Sequence, residues 1–229
     1  MEGSIDSGMA EAETSSPVVS EKERRVAELA ESASTCTSCD LYQSRTHVVF
    51  GEGNPKSPLV IVGEGPGEQE DKTGRPFVGR AGKLLDECLR ECGILRRHVF
   101  ITNVVRCRPT ELDANGRVKN RAPVAEETNT CVSLWLEPTL AVIEPLVILC
   151  LGGPSANVII RKGFRIMAER GKFFETKYAR YAIAGLHPAY VLRQEGGAYD
   201  EARASLVKDI EAARLKVIEA KKEPPKTLF

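Results

Sequence analysis

Four cysteines fall in two separated places, Cys36-Thr37-Ser38-Cys39 and then Cys107 and Cys131. They bracket a glycine-rich run, Gly63-Glu64-Gly65-Pro66-Gly67-Glu68-Gln69-Glu70-Asp71. Cys36 and Cys39 share a tight turn, the spacing by which two thiolates reach one metal centre. Zinc and an iron–sulfur cluster both accept four thiolates. A zinc ribbon usually offers a second close cysteine pair, which this chain lacks. The wide spacing of Cys107 and Cys131 suits a bulky cluster better. The other three cysteines read as core: Cys88 and Cys92 share one helical stripe, and Cys150 lies inside an apolar run.

The glycine run follows an apolar strand, yet it is neither a dinucleotide fingerprint nor a P-loop. G-x-G-x-x-G is absent, and so is Gly-Lys-Ser/Thr. Glu64, Glu68, Glu70 and Asp71 also make it a poor phosphate cradle. It reads instead as backbone that approaches a neutral or cation-forming ligand closely, with carboxylates nearby. Phe77, between Pro76 and Gly79, is either a core ring or a presented one, a platform on which a base stacks. Asn103 ends a strand. Its amide either caps a turn or both donates and accepts, matching the N3–H and O4 edge of a pyrimidine such as uracil. His187 precedes Pro188, which holds it extended at another strand end. His98 reads as surface, and His47 near the first cysteines has no evident role.

These residues need elements to position them. Apolar runs at 59–62, 99–102, 146–150 and 181–184 lack clean alternation, as expected of parallel strands covered on both faces. Helical patterns lie between them, at 21–33, 80–92, 123–143, 154–160 and 200–222. Gly93 stops the second, and Pro138 bends or splits the third. The expected fold is α/β, three-layer α/β/α, with a four-stranded mainly parallel central sheet. Ligands bind beyond the carboxyl ends of such strands. Here those ends carry Gly63-Glu64-Gly65, Asn103-Val104, Gly152-Gly153 and Gly185-Leu186-His187.

The chain has 229 residues, 42% of them hydrophobic, enough for one domain with a buried core. Residues 1–20 read as a disordered acidic tail, 21–222 as a single domain and 223–229 as a C-terminal tail. Net charge is zero, with 32 basic and 32 acidic residues. Between Cys36 and Arg193, however, 22 Lys/Arg face 17 Asp/Glu, a surplus that suits a moderate nucleic-acid binder or is ordinary solvated charge. No apolar run has the length of a membrane span. Residues 1–20 lack a secretory pattern, and seven cysteines without one argue for a reducing cytoplasm.

Assembled, these pieces resemble the family 4 uracil-DNA glycosylases, the iron–sulfur type. The resemblance covers residues 36 to about 193. It rests on Cys-x-x-Cys-x-Leu-Tyr at 36–42, Gly-Glu-Gly-Pro-Gly-Glu-x-Glu-Asp at 63–71 and Thr-Gly-Arg-Pro-Phe-Val-Gly at 73–79. Thr-Asn-Val-Val-x-Cys-Arg-Pro at 102–109, Asn-Arg-x-Pro at 120–123 and His-Pro-Ala-Tyr at 187–190 complete it. It implies a [4Fe-4S] cluster on Cys36, Cys39, Cys107 and Cys131, structural in role. It implies uracil-containing DNA, single- or double-stranded, as the partner of a monomer that is cytoplasmic and nucleoid-associated, with no membrane role.

The resemblance also assigns site roles. Glu64, Gly65 and His187 are the catalytic set, with His187 donating to uracil O2. Pro66, Glu70, Phe77 and Asn103 complete the uracil site, with Phe77 stacking, Asn103 reading the base edge and Glu70 near C5. Arg75, Pro188, Tyr190, Leu192 and Arg193 contact DNA, with Tyr190, Val191 and Leu192 as candidate wedges. Arg106, Arg108 and Arg121 are further phosphate candidates. Gly65 stands where commoner uracil glycosylases carry a water-orienting Asp. Thr110 to Lys119 looks like an inserted loop, and the absence of histidine in 108–130 argues against covalent capture of the DNA. Two other readings are a uracil-DNA binding protein with weak or no turnover and an iron–sulfur electron carrier.

Overall fold

The computed structural model describes residues 19–224 and opens with helix α1, Glu21–Ser34. Ser20 and Glu23 close a capping box at its start. Ser20 therefore belongs to the folded unit. Residues 1–18 of the expected tail lie outside the described residues, as do 225–229. Of the expected C-terminal tail, Glu223 and Pro224 are described, and both are held by Arg180.

The order then runs β1 (Glu52–Gly53), β2 (Leu59–Gly63), α2 (Glu68–Thr73), α3 (Arg80–Glu91), β3 (Phe100–Asn103), β4 (Thr110–Leu112), β5 (Val118–Asn120) and α4 (Ala125–Cys131). After α4 come α5 (Glu137–Ile143), β6 (Val147–Leu151), α6 (Gly153–Ile159), α7 (Ile166–Glu169), β7 (Phe173–Phe174), β8 (Tyr181–Gly185), α8 (Pro188–Val191) and α9 (Gly196–Ala220). Among the described residues, no helix is long and apolar enough to cross a membrane.

The sheet has six strands in the order β1-β3-β2-β6-β8-β7. The inner four are parallel, as expected, and their registers align Gly63 with Asn103 and Leu151 with Gly185. Short antiparallel strands close both edges. They were missed because two residues are too few to show alternation. Successive strand residues face opposite layers. Val60, Val62, Ile148 and Cys150 pack beneath α1, α5 and α6. Leu59, Ile61, Val147 and Leu149 pack beneath α3 and α9. The three layers follow from that alternation. Cys88, Cys92 and Cys150 are buried in these cores.

Residues 110–119, read as an inserted loop, hold regular structure. They form most of the β4–β5 hairpin, whose turn is tied by Asp113 accepting from the N–H groups of Asn115 and Arg117 at 2.8 and 2.9 Å. Asp113-Ala114-Asn115-Gly116 was the overlooked turn signal. The helix expected over 123–143 starts at Ala125 and is interrupted by a π-helical segment, Val132–Leu136. Pro138 cannot donate to the carbonyl one turn back, and just before it the chain widens, Glu137 N–H reaching Val132 O.

Candidate active site

The carboxyl ends of β2, β3 and β8 open into a cavity of about 250 Å3 lined by Glu64, Pro66, Phe77, Asn103 and His187, among others. The parallel ladder continues past β2, with Val104 N–H donating to Gly63 O and Val105 N–H to Glu64 O. This holds the start of the glycine loop against β3. Gly65 lines the cavity with no side chain to orient a water. Burial pushes the Glu64 carboxyl above the usual range.

Asn103 is 1% exposed, and its Oδ1 has no hydrogen-bond partner. A buried acceptor left empty is costly, so its place in the wall marks it for a ligand. Gly63 makes room for it: a Cβ there would lie 2.4 Å from Asn103 Oδ1 and 2.5 Å from Phe77 Cζ.

Phe77 sits at φ 51°, a strained conformation for a bulky residue. Two charged side chains hold the turn. Glu70 Oε1 accepts from the N–H groups of Val78 and Gly79, both at 2.8 Å. Its Oε2 accepts from Gly67 N–H at 3.1 Å, tying the turn to the glycine loop. On the other side Arg96 donates to the carbonyls of Pro76 and Phe77 and is itself gripped by Glu52 and Asp86. Gly82 lets α3 approach, since a Cβ there would lie 1.8 Å from Phe77 O. Glu70 is therefore a clamp whose carboxylate is already engaged.

The His187 ring lies 5.9 Å from that of Phe77, tilted by 34°. Its Nδ1 accepts from Ala189 N–H at 3.1 Å, so the neutral ring carries its proton on Nε2. Burial, then the charge of Arg193, push its pKa down to about 4 against an opposing pull from Glu70. His187 is thus a neutral donor at the cavity wall. Behind it, Asp209 of α9 accepts from Leu186 N–H and pairs with Arg170 at 2.7 Å. Burial raises Asp209 to about 6 despite that arginine.

The proposed DNA contacts are less uniform. Arg193 is exposed near His187. Tyr190 and Leu192 are half-buried, and Pro188 is buried. Val191 is fully buried between α3 and α9, which removes it as a wedge. Arg75 lies outside the cavity and pairs with Glu52 at 2.8 Å. Arg106 is buried, so it cannot reach a phosphate. Arg108 donates to Asn120, and Arg121 makes a two-pronged pair with Glu127.

Cys36, Cys39, Cys107 and Cys131 line a second cavity together with Leu41, Val48 and Trp135. Three of the sulfurs accept N–H donors: Cys36 from Trp135 Nε1 at 3.3 Å, Cys107 from Arg45 at 3.4 Å and Cys131 from Arg106 N–H at 3.3 Å. Burial pushes the Cys131 thiol up to about 11, against the pull of Arg106 and its N–H. Among the described residues, no three His, Cys, Asp or Glu groups converge on a point that would hold a single ion.

Hydrogen bonds tie the segment after the first cysteine pair to α2. Buried Asp71, in α2, accepts from Thr46 N–H at 2.8 Å, and His47 Nδ1 meets Asp71 O at 2.8 Å. His47, unassigned from sequence, docks the cysteine segment onto the helix that follows the glycine loop. Arg96, Arg45, Trp135 and Asp209 were also missed. Only Arg45, close after the Cys36–Cys39 turn, left a signal in the sequence.

The pattern of the Uracil DNA glycosylase superfamily matches residues 50–211. A type-4 uracil-DNA glycosylase of Thermotoga maritima is 43% identical over 187 residues, covering 81% of this chain and 91% of that one. A type-4 uracil-DNA glycosylase of Sulfurisphaera tokodaii is 43% identical over 69% of this chain and 71% of its own. The crystal structure of wild-type Pedobacter heparinus SMUG2 shares the fold, with a TM-score of 0.51 at 18% identity, covering 72% of this chain and 76% of that one. With its strand-end cavity, its cysteine set and relatives this similar over most of its length, the chain belongs to the type-4 group of the uracil-DNA glycosylase superfamily.

Proposed function

We propose that the protein excises uracil from DNA by cleaving the N-glycosidic bond, leaving an abasic site. The observation that carries this is the empty, buried Asn103 Oδ1 facing a cavity that also holds Phe77 and the neutral His187. Uracil N3–H fills that acceptor, and the amide N–H donates to O4. Cytosine reverses both groups and leaves two buried partners unpaired, at about 1–3 kcal/mol each. The base reaches the cavity only when flipped from the stack, at a cost of about a few kcal/mol. Phe77 recovers part of that cost by stacking.

Bond cleavage leaves electrons on uracil and positive charge on the sugar. His187 Nε2–H stabilises the first at O2, a preorganised donor in a water-poor site. Glu64 stands beside the second. Since Gly65 offers no base, the water attacks a sugar already made cationic. Arg193 takes a neighbouring phosphate, and Tyr190 or Leu192 fills the vacated stack. Incubating the protein with uracil-containing single strands and duplexes tests the proposal. Free uracil and alkali-sensitive abasic sites are expected, and the same assay reads strand preference. DNA bound without either product would leave only a uracil-DNA binder.

The four cysteines fit a [4Fe-4S] cluster, held by Cys36, Cys39, Cys107 and Cys131. When bound, it cross-links the first cysteine turn to β3 and α4 and takes no part in bond cleavage. Iron and acid-labile sulfide in equal amounts are expected in purified protein; zinc in their place would refute the assignment.

The geometry sets two further expectations. A histidine that ionised at its ordinary value would give the pH–rate profile an inflection near 6.5. His187 is held down to about 4. The catalytic form, neutral at Nδ1, therefore persists through that range and is lost only as pH falls towards 4. Single-turnover rates from pH 4 to 8 should show no histidine step near 6.5; such a step, abolished in H187N, would contradict the neutral-donor role. Arg96→Ala releases the Phe77 turn without touching the cavity. KM for uracil DNA should rise about tenfold, the worth of a charged hydrogen bond, with kcat changing less. Unaltered steady-state kinetics would show that Arg96 does not position the ring.

A further inference from the structure

We propose that Arg106 is a positioning residue that couples the cluster to uracil reading, with the cluster's negative charge as its counterion. The inference rests on the cluster assignment above. Arg106 is 1% exposed, and no carboxylate pairs with it among the described residues. A buried cation without an anion is strongly disfavoured. The groups it touches directly are neutral, while Arg45, which lines the same cavity, is a second cation on the cysteine set, donating to Cys107 Sγ at 3.4 Å. One terminal nitrogen of Arg106 donates to Asn103 O at 2.7 Å, the other to Thr139 Oγ1 at 3.5 Å, and the guanidinium lies 5.0 Å from the Phe50 ring centre. Its Nε finds no acceptor at all.

The anions available to it are sulfurs. Its own N–H donates to Cys131 Sγ at 3.3 Å, and Cys107 is the next residue. A second path runs through Thr139, which donates to Trp135 O at 2.6 Å, while Trp135 Nε1 donates to Cys36 Sγ. Four thiolates around an iron–sulfur core carry net negative charge. That charge offsets the guanidinium. The guanidinium in turn fixes the Asn103 carbonyl and hence the amide that faces the base. The cluster thus reaches uracil selection through one buried cation rather than through electron transfer.

The test compares holoprotein of wild type, R106M and R106K by two readouts: the cluster's midpoint potential and the Ki of free uracil in the excision assay. Removing a nearby positive charge favours the oxidised cluster, so R106M should lower the potential. It should also raise the uracil Ki about tenfold, the worth of a charged hydrogen bond. R106K keeps the charge but loses the fork, so its potential should stay near wild type while its Ki rises severalfold. An unchanged potential or an unchanged Ki in R106M overturns the coupling. If R106M does not accumulate with its cluster, R106K decides, and a shifted potential with unaltered Ki overturns it. Wild type without iron would instead defeat the cluster assignment itself.

Discussion

Replacing His187 with alanine is expected to slow uracil release about 10²–10³-fold, the usual cost of one preorganised donor to a developing oxyanion. On the proposed reading the donor is in place before the base arrives. Nδ1 is occupied by Ala189 N–H, which forces the proton onto Nε2, and burial keeps the ring from taking a second one. No reorganisation is needed when charge appears on the leaving base. His187 also caps α8, so alanine removes a cap worth about 1 kcal/mol. Asparagine separates the two effects. His187→Asn keeps a capping side chain but offers no donor at the same reach. Its melting temperature should stay near wild type while its single-turnover rate falls with that of the alanine variant. If H187N excises uracil at the wild-type rate, the donor lies elsewhere.

Asn103→Ala should move activity and stability in opposite directions. On the proposed reading the amide makes two hydrogen bonds to uracil, and their loss should cut kcat/KM about 10²-fold, within the range for leaving polar groups of a base unmatched. Folding gains, because the variant deletes an acceptor that is buried and unpaired without ligand. A rise in stability of about 1 kcal/mol is expected, reduced by the small void left behind. Denaturant melts and excision kinetics on one preparation check both signs. A variant that is destabilised by several kcal/mol and still excises normally would make Asn103 a structural residue.

The parts of this protein that sequence reveals are those whose physics is local. The runs at 59–62 and 146–150 are apolar on both faces, which only a covered parallel strand requires. Asn103 and His187 stand at the ends of such strands, where the sheet presents its ligands. Phe77 was balanced between core and platform; the ring is buried, as a core ring is, and it also walls the cavity. The illegible parts depend on distant partners. Arg106 and Arg96 look like surface charge in one dimension, and only the folded chain shows one beneath Asn103 and the other gripping the Phe77 turn. Glu70 was expected near C5, but a carboxylate does not announce that three backbone N–H groups will occupy it. Edge strands of two residues carry no period to read. The β4–β5 hairpin did carry a signal, in its Asp113–Gly116 turn, but the segment was read only as an inserted loop and its strands were missed.

That hairpin has a closed neck. Arg121 N–H donates to Pro109 O at 3.1 Å, and Arg121 Nε to Thr110 O at 3.0 Å, just outside Cys107 on one side and well before Cys131 on the other. The neck closes the hairpin off between the two cysteines. The finger beyond it can therefore change in length or charge while the backbone that carries Cys107 and Cys131 keeps its course.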